Sequence, residues 1–104
     1  MIDLVTANET LEGYHLRAWA GVAVDEGVGL IALVEVSDAT GRPVCRFEEF
    51  LEASLRNLDP GWLRDDTAAA RQLQYRALDR ARAAVTANTL ATLNGHRFEV
   101  SADS

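Results

Sequence analysis

The sequence predicts an α+β fold: a three-stranded antiparallel meander packed by a long C-terminal amphipathic helix, with a short helix before it and a candidate terminal strand after it. Three observations carry this. Tyr14 to Val24 alternates apolar and polar residues with period two. Val28 to Ser37 is a second, very apolar run that ends in a hairpin loop at Asp38-Ala39-Thr40-Gly41. From Asp66 the composition changes to Ala, Arg, Gln and Leu, with helical spacing and no Gly or Pro until after Ala91. The chain has 104 residues, which suits one domain, residues 1–104, around one core.

In chain order, Met1 to Gly13 begins apolar at Ile2, Leu4 and Val5 and turns polar at Asn8-Glu9-Thr10. It reads as a short strand or a loose arm. From Gly13 a strand follows in which Leu16, Ala18, Ala20 and Val22 share one face, and His15, Arg17, Trp19 and Gly21 the other. Asp25-Glu26-Gly27 is the expected turn. In Val28–Ser37 both faces are apolar, as in a strand that is central or covered on both sides. Asp38 suits the start of a type I turn and Gly41 the positive φ of a bulge. Arg42 to Phe47 returns as the third strand, and Pro43 near its start suits an edge.

The period then shifts. Phe47, Phe50, Leu51, Leu55 and Leu58 recur at helical spacing, so Glu48–Asn57 is expected as a short amphipathic helix, with a strand continuing to Phe50 as the alternative. Asp59-Pro60-Gly61 breaks the chain. The main helix begins at Asp66, capped by Asp65 or Asp66, or already near residue 60 with Pro60 in its first turn and Trp62 as a core plug. At ~100° per residue, Ala70, Leu73, Ala77, Ala81, Ala84 and Val85 fall on one stripe with Leu78 at its edge. Arg76 and Arg80 flank one side of it, and Arg71, Tyr75 and Arg82 the other. Leu90 and Leu93 leave the stripe, so the helix ends or bends near Asn88-Thr89, or stops at Asn94-Gly95. His96–Val100 is a short terminal strand or an ordered tail.

Composition excludes several classes of function. Formal net charge is −6, which disfavours nonspecific nucleic-acid binding, because phosphate contacts want excess basic charge. All ten basic residues are Arg. One cysteine, Cys45, forms no internal disulfide, which fits a reducing compartment and a cytoplasmic location. No signal-peptide pattern opens the chain and no apolar run approaches a membrane span. His15 and His96 are the only histidines and no Cys/His pair has ligand spacing, so no metal or other cofactor is expected. Glu48, Glu49 and Glu52 read as a solvated helix face. Cys45 in a strand reads as a buried structural thiol. Gly27-Val28-Gly29 does not open a helix and fails as a dinucleotide fingerprint. No set of catalytic residues emerges.

Charge is polarised along the chain. Residues 1–59 hold eleven acids and four Arg, whereas 60–104 hold five acids and six Arg. The candidate binding residues are therefore Arg71, Tyr75 and Arg82 on one helix flank, together with Trp19 and Arg17 on the polar face of the first alternating strand. An aromatic beside an Arg has the composition of an interface hot spot. The alternative for Trp19 is cover by the amino-terminal arm or a second helix.

Gly13-Tyr14-His15-Leu16, the turn at Gly41-Arg42-Pro43, and Thr67-x-x-Ala-x-x-x-Leu followed by Ala77-Leu78-x-x-Ala-Arg-x-x-Val resemble small uncharacterised bacterial β-β-β-α proteins over Gly13 to Val85. The segment Phe50–Asp65 departs from that plan, and the resemblance brings no catalytic residues. The expected function is a small protein–protein interaction module that binds a partner or a second copy as a homodimer. One alternative is an acidic inhibitor or nucleic-acid mimic of the anti-defence or immunity type, which requires Glu35, Asp38, Glu48, Glu49 and Glu52 in a contiguous row. Another is a small-molecule-binding protein with a pocket between sheet and helix.

Overall fold

The computed structural model describes residues 2–23, 29–52 and 66–100. Strands β1 (Ile2–Leu11), β2 (Tyr14–Ala23), β3 (Gly29–Ser37) and β4 (Pro43–Glu52) are followed by helix α1 (Asp66–Ala87), the single turn α2 (Leu90–Leu93) and strand β5 (Arg97–Val100). Among the described residues the sheet has five strands in the order β1-β2-β3-β4-β5. The first four form an antiparallel meander, and β5 joins β4 in parallel. A parallel neighbour needs a long return of the chain, and the stretch containing α1 supplies it.

The expected three-stranded meander is therefore corrected to a five-stranded mixed sheet. The amino-terminal segment is a full strand, because Glu12 (φ 50°) and Gly13 (φ 85°) both take positive φ and close a two-residue turn onto β2. Residues 48–52 continue β4 and do not begin a short helix. Phe47, Glu49 and Leu51 point one way and Glu48 and Phe50 the other, and pairing to β3 runs on to Glu52. The apolar spacing there served two strand faces as well as one helix face. Pro43 lies on the part of β4 that β5 does not reach, while the later half of β4 is internal. The turn at Asp25–Gly27, the break at Asp59–Gly61, Trp62, the helical residues expected between 53 and 57 and the helix start near residue 60 lie outside the described residues.

One face of the sheet is built from Val5, Leu16, Ala18, Ala20, Val22, Leu30, Ala32, Val34, Val36, Cys45 and Phe47, all buried in one cluster with Ala70, Leu73, Ala77, Leu78 and Ala81 of α1. Alanine meets alanine here: Ala18, Ala20 and Ala32 of the sheet and Ala70, Ala77 and Ala81 of the helix are all fully buried. Two methyl-sized surfaces let backbones come close, at the cost of little apolar area per residue. The helix does not rest on three strands alone. Arg82 reaches Glu9 on β1, and Arg80 reaches Glu49 on β4. Gln74 lies on the same buried face and donates from Nε2 to the Ala18 carbonyl at 3.1 Å.

The helix ends where its stripe fails. Asn88 takes φ 58°, its N–H donates to the Val85 carbonyl, and the Thr89 N–H reaches back to that of Ala84 at 2.8 Å, the Schellman pattern. The following turn docks on β4: the Arg46 N–H donates to Asn94 Oδ1 at 3.0 Å, and the Gly95 N–H to the Arg46 carbonyl at 2.7 Å. In the β3–β4 loop, Asp38 Oδ1 accepts from the Thr40 hydroxyl and from the Thr40 and Arg42 N–H groups. The Thr40 hydroxyl bond first, then the Arg42 N–H, hold the Asp38 carboxyl below its ordinary range.

Gly29 opens β3 at a crowded point. A Cβ there would stand 2.5 Å from the Leu51 carbonyl oxygen and 2.8 Å from the Phe50 ring. Backbone cannot give way as a side-chain tip does, so Gly29→Ala should cost about 2 kcal/mol by forcing the β3–β4 end apart. Chemical denaturation would show it; an unchanged midpoint would mean the strands are not this close.

Candidate functional site

The second face of the sheet carries the sequence-derived candidates Trp19 and Arg17. Strand parity puts them there: their neighbours Leu16, Ala18 and Ala20 are fully buried under α1, so the odd-numbered residues of β2 face away. Two rows cross this face. One is Asn8–Arg17–Glu35–Arg46, and the other Thr6–Trp19–Leu33–Glu48–Arg97. Trp19 and Leu33 are half-buried and Arg17 is exposed. The Arg17 guanidinium carbon stands 5.7 Å from the Trp19 ring centroid, and its Nε donates to Asn8 Oδ1 at 3.2 Å. Further along, Arg97 donates to Glu48 Oε1 at 2.8 Å and lies 5.0 Å over the Phe50 ring. The face is thus an aromatic and aliphatic strip, Trp19–Leu33 with Phe50, bordered by Arg residues that are themselves held. The amino-terminal segment does not cover Trp19. It lies beside β2 in the plane of the sheet, with Thr6 opposite Trp19.

The other candidates lie across the sheet. Arg71 and Tyr75 are exposed on α1, with half of the Tyr75 surface open to solvent. Arg82 shares their strip but is engaged. Its Nε and Nη2 donate to the Glu9 carboxylate at 2.6–3.1 Å, and Nη1 pairs with Asp79. The Glu9 hydrogen bonds above all hold the Arg82 guanidinium charged, raising its pKa further. The five residues therefore form two groups: Trp19 with Arg17 on the open face, and Arg71, Tyr75 and Arg82 on the β1 side of α1.

Glu49, expected on a solvated helix face, is in fact fully buried, and so is Gln74. Arg80 Nε donates to Glu49 Oε1 at 2.7 Å, and its guanidinium carbon lies 3.9 Å from the Phe98 ring centroid. Phe98 in turn meets Phe47 edge-on, centroids 6.0 Å apart. Among the described residues, Glu49 Oε2 and Gln74 Oε1 have no hydrogen-bond partner. For Gln74 the signal lay in the helical period, which puts it between Ala81 and Val85 on the stripe. For Glu49 it lay in the alternative of a strand continuing to Phe50, which sets Glu49 on the same face as Phe47.

The acidic row that a nucleic-acid mimic requires is not what the described residues form. Glu49 is sealed under α1, while Glu35 and Glu48 lie on the opposite face and Asp38 is folded into its loop. These acids do not make a contiguous row. The alanines that face each other across helix and sheet are fully buried. Two clefts among the described residues lie elsewhere. One, of about 600 Å³, is at the strand ends, lined by Thr10, His15, Arg17, Glu35, Ser37 and Asp38; the other, of about 390 Å³, lies against Asn94–His96. No group of three or more His, Cys, Asp or Glu among the described residues is placed to hold a metal. Cys45 is buried and burial raises its thiol pKa, the reverse of an activated nucleophile. No described helix is long and apolar enough to cross a membrane. No family model matches this chain, and no curated protein or solved structure matches it either.

Proposed function

We propose that this protein is a binding module that works by associating with another protein chain, and that the sheet face opposite α1, around the half-buried Trp19, is its recognition surface. The carrying observation is the pairing of Trp19 with Arg17 on the face opposite α1. A large ring with two side-chain torsions contributes contact area at low entropic cost, and a neighbouring guanidinium adds polar reach. The Leu33 and Phe50 side chains extend the apolar strip, and the Glu48–Arg97 pair borders it. Net charge of −6 favours a protein over a nucleic acid as partner. A single buried Cys45 with no internal disulfide suits a reducing compartment, and the bacterial cytoplasm is the proposed location.

Trp19→Ala tests the reading. Affinity capture with wild-type and Trp19→Ala protein, followed by titration of the recovered partner, should show at least about a 2 kcal/mol loss of binding, the scale of a hot-spot aromatic. Arg71→Ala, on the other side of the sheet, should leave the titration unchanged. Equal binding by wild type and Trp19→Ala would refute the surface.

A further inference from the structure

The outer edge of β1 is the second surface with an unmet requirement, and we infer that it pairs with the β1 edge of a second copy to join two sheets into one across a two-fold axis. The inference rests on the binding-module reading and adds a second copy of this chain as a partner at a separate surface.

Among the described residues, the strand order leaves β1 at one end of the sheet, paired to β2 alone. At ten residues it is long for an edge strand. Edges are usually blunted by Lys, Pro, inward-pointing charge or bulges. Here the register irregularity lies at Asp3/Val5, and Val5 to Leu11 pairs without interruption. That stretch contains neither Lys nor Pro. Its one acid, Glu9, is bound by Arg82 from α1.

The turn fixes which groups face out. Leu11 and Tyr14 close a two-residue turn, so they form a hydrogen-bonded pair, and such pairs recur at alternate positions. Leu11, Glu9 and Ala7 therefore direct their N–H and C=O groups to β2, whereas Thr10, Asn8 and Thr6 direct theirs outward. Antiparallel pairing of two such edges uses all three outward residues when Asn8 lies opposite Asn8 of the second copy. Thr6 then faces Thr10 of that copy and Thr10 faces its Thr6, giving about six backbone hydrogen bonds.

The side chains agree with this register. On the α1 face, Val5 meets Leu11 of the second copy, and Ala7 meets its Glu9. The two Glu9 carboxylates sit on a diagonal, each neutralised by its own Arg82. On the open face threonine meets threonine and asparagine meets asparagine. Of the two neighbouring in-register alignments, Ala7 opposite Ala7 sets Glu9 against Val5 and leaves Thr10 against the irregular start of the strand, and Glu9 opposite Glu9 puts the two carboxylates face to face.

Sedimentation or light scattering across a concentration series tests this on the full chain. The wild-type mass should rise from one copy to two, and added salt should favour the dimer, since each copy carries −6. Asn8→Pro removes an outward N–H and leaves the backbone ladder to β2 in place, and Asn8→Lys sets two like charges face to face while keeping the backbone intact; both also remove the Asn8 Oδ1 acceptor of Arg17, for which Arg17→Ala is the control and should leave the dimer unchanged. Each Asn8 variant should weaken the dimer at least tenfold with unchanged circular dichroism. Under oxidation Asn8→Cys should cross-link with itself and Thr10→Cys should not, because Thr10 faces Thr6. A wild type that stays monomeric at every concentration, or a dimer that survives both Asn8 variants, overturns the edge. If that surviving dimer, or a captured partner, is lost in Trp19→Ala, the open-face reading stands while the edge falls. If neither surface responds, both fall.

Discussion

Phe47→Ala should lower stability by about 4 kcal/mol, the cost of emptying a fully enclosed aromatic site. In a domain of this size that is on the order of a 20 °C fall in melting temperature. Phe47 is 1% exposed, lies opposite Val34 on β3, and stands edge-on to Phe98 of β5. It links the meander to the strand that joins β4 from the other side. Neighbouring side chains cannot close the gap, because Val34 opposite it and Cys45 on the same strand face are themselves already buried. Phe47→Leu should cost less, about 1.5 kcal/mol, since most of the volume returns. Denaturant titration of both variants checks the order. A loss below 1 kcal/mol for Phe47→Ala would contradict the packing.

Apolar spacing explains how much of the fold was legible. The period-two run from Tyr14 and the apolar run ending at Ser37 are unambiguous, because one pattern fits one element. The stripe of α1 reads equally well, and its end at Asn88 follows from Leu90 and Leu93 leaving it. What misled was the stretch after Phe47. Apolar residues at 47, 50 and 51 satisfy a helical period, but they also fit a strand covered on both faces, and only pairing to β3 decides between them. β5 was ambiguous for a related reason. Arg97–Val100 is four residues long, and its place depends on β4 being a strand as far as Leu51. Among the candidate binding residues, Trp19 and Arg17 were legible from strand parity. That Arg82 is engaged by Glu9 was not, because the two residues are 73 positions apart and meet only through the fold. Asn8 carried no sequence signal either; its significance comes from which way its N–H points.

Arg80→Ala should cost about 3 kcal/mol, and the reason is the partner it abandons rather than the bond it makes. Glu49 is fully buried, and Arg80 Nε is the donor to Oε1 at 2.7 Å; Oε2 has none among the described residues. Without Arg80 the carboxylate is left in an apolar layer of Ala, Val and Phe with its charge uncompensated. The Arg80 side chain is itself 39% exposed, so solvent tempers the pair's own attraction and the bond alone is worth less than this loss. Glu49→Leu should behave differently. It removes the charge together with its desolvation and keeps the volume, so stability should change by less than about 1 kcal/mol and can rise. The double variant then discriminates. If the loss in Arg80→Ala comes from a stranded carboxylate, Arg80→Ala in the Glu49→Leu background should cost only about 1 kcal/mol, the guanidinium contact with Phe98 and the buried stem of the side chain. A coupling of about 2 kcal/mol between the two positions is therefore expected in a double-mutant cycle. If Arg80→Ala costs the same in both backgrounds, Glu49 is not the group that Arg80 neutralises, and the layer beneath α1 must hold its carboxylate by other contacts.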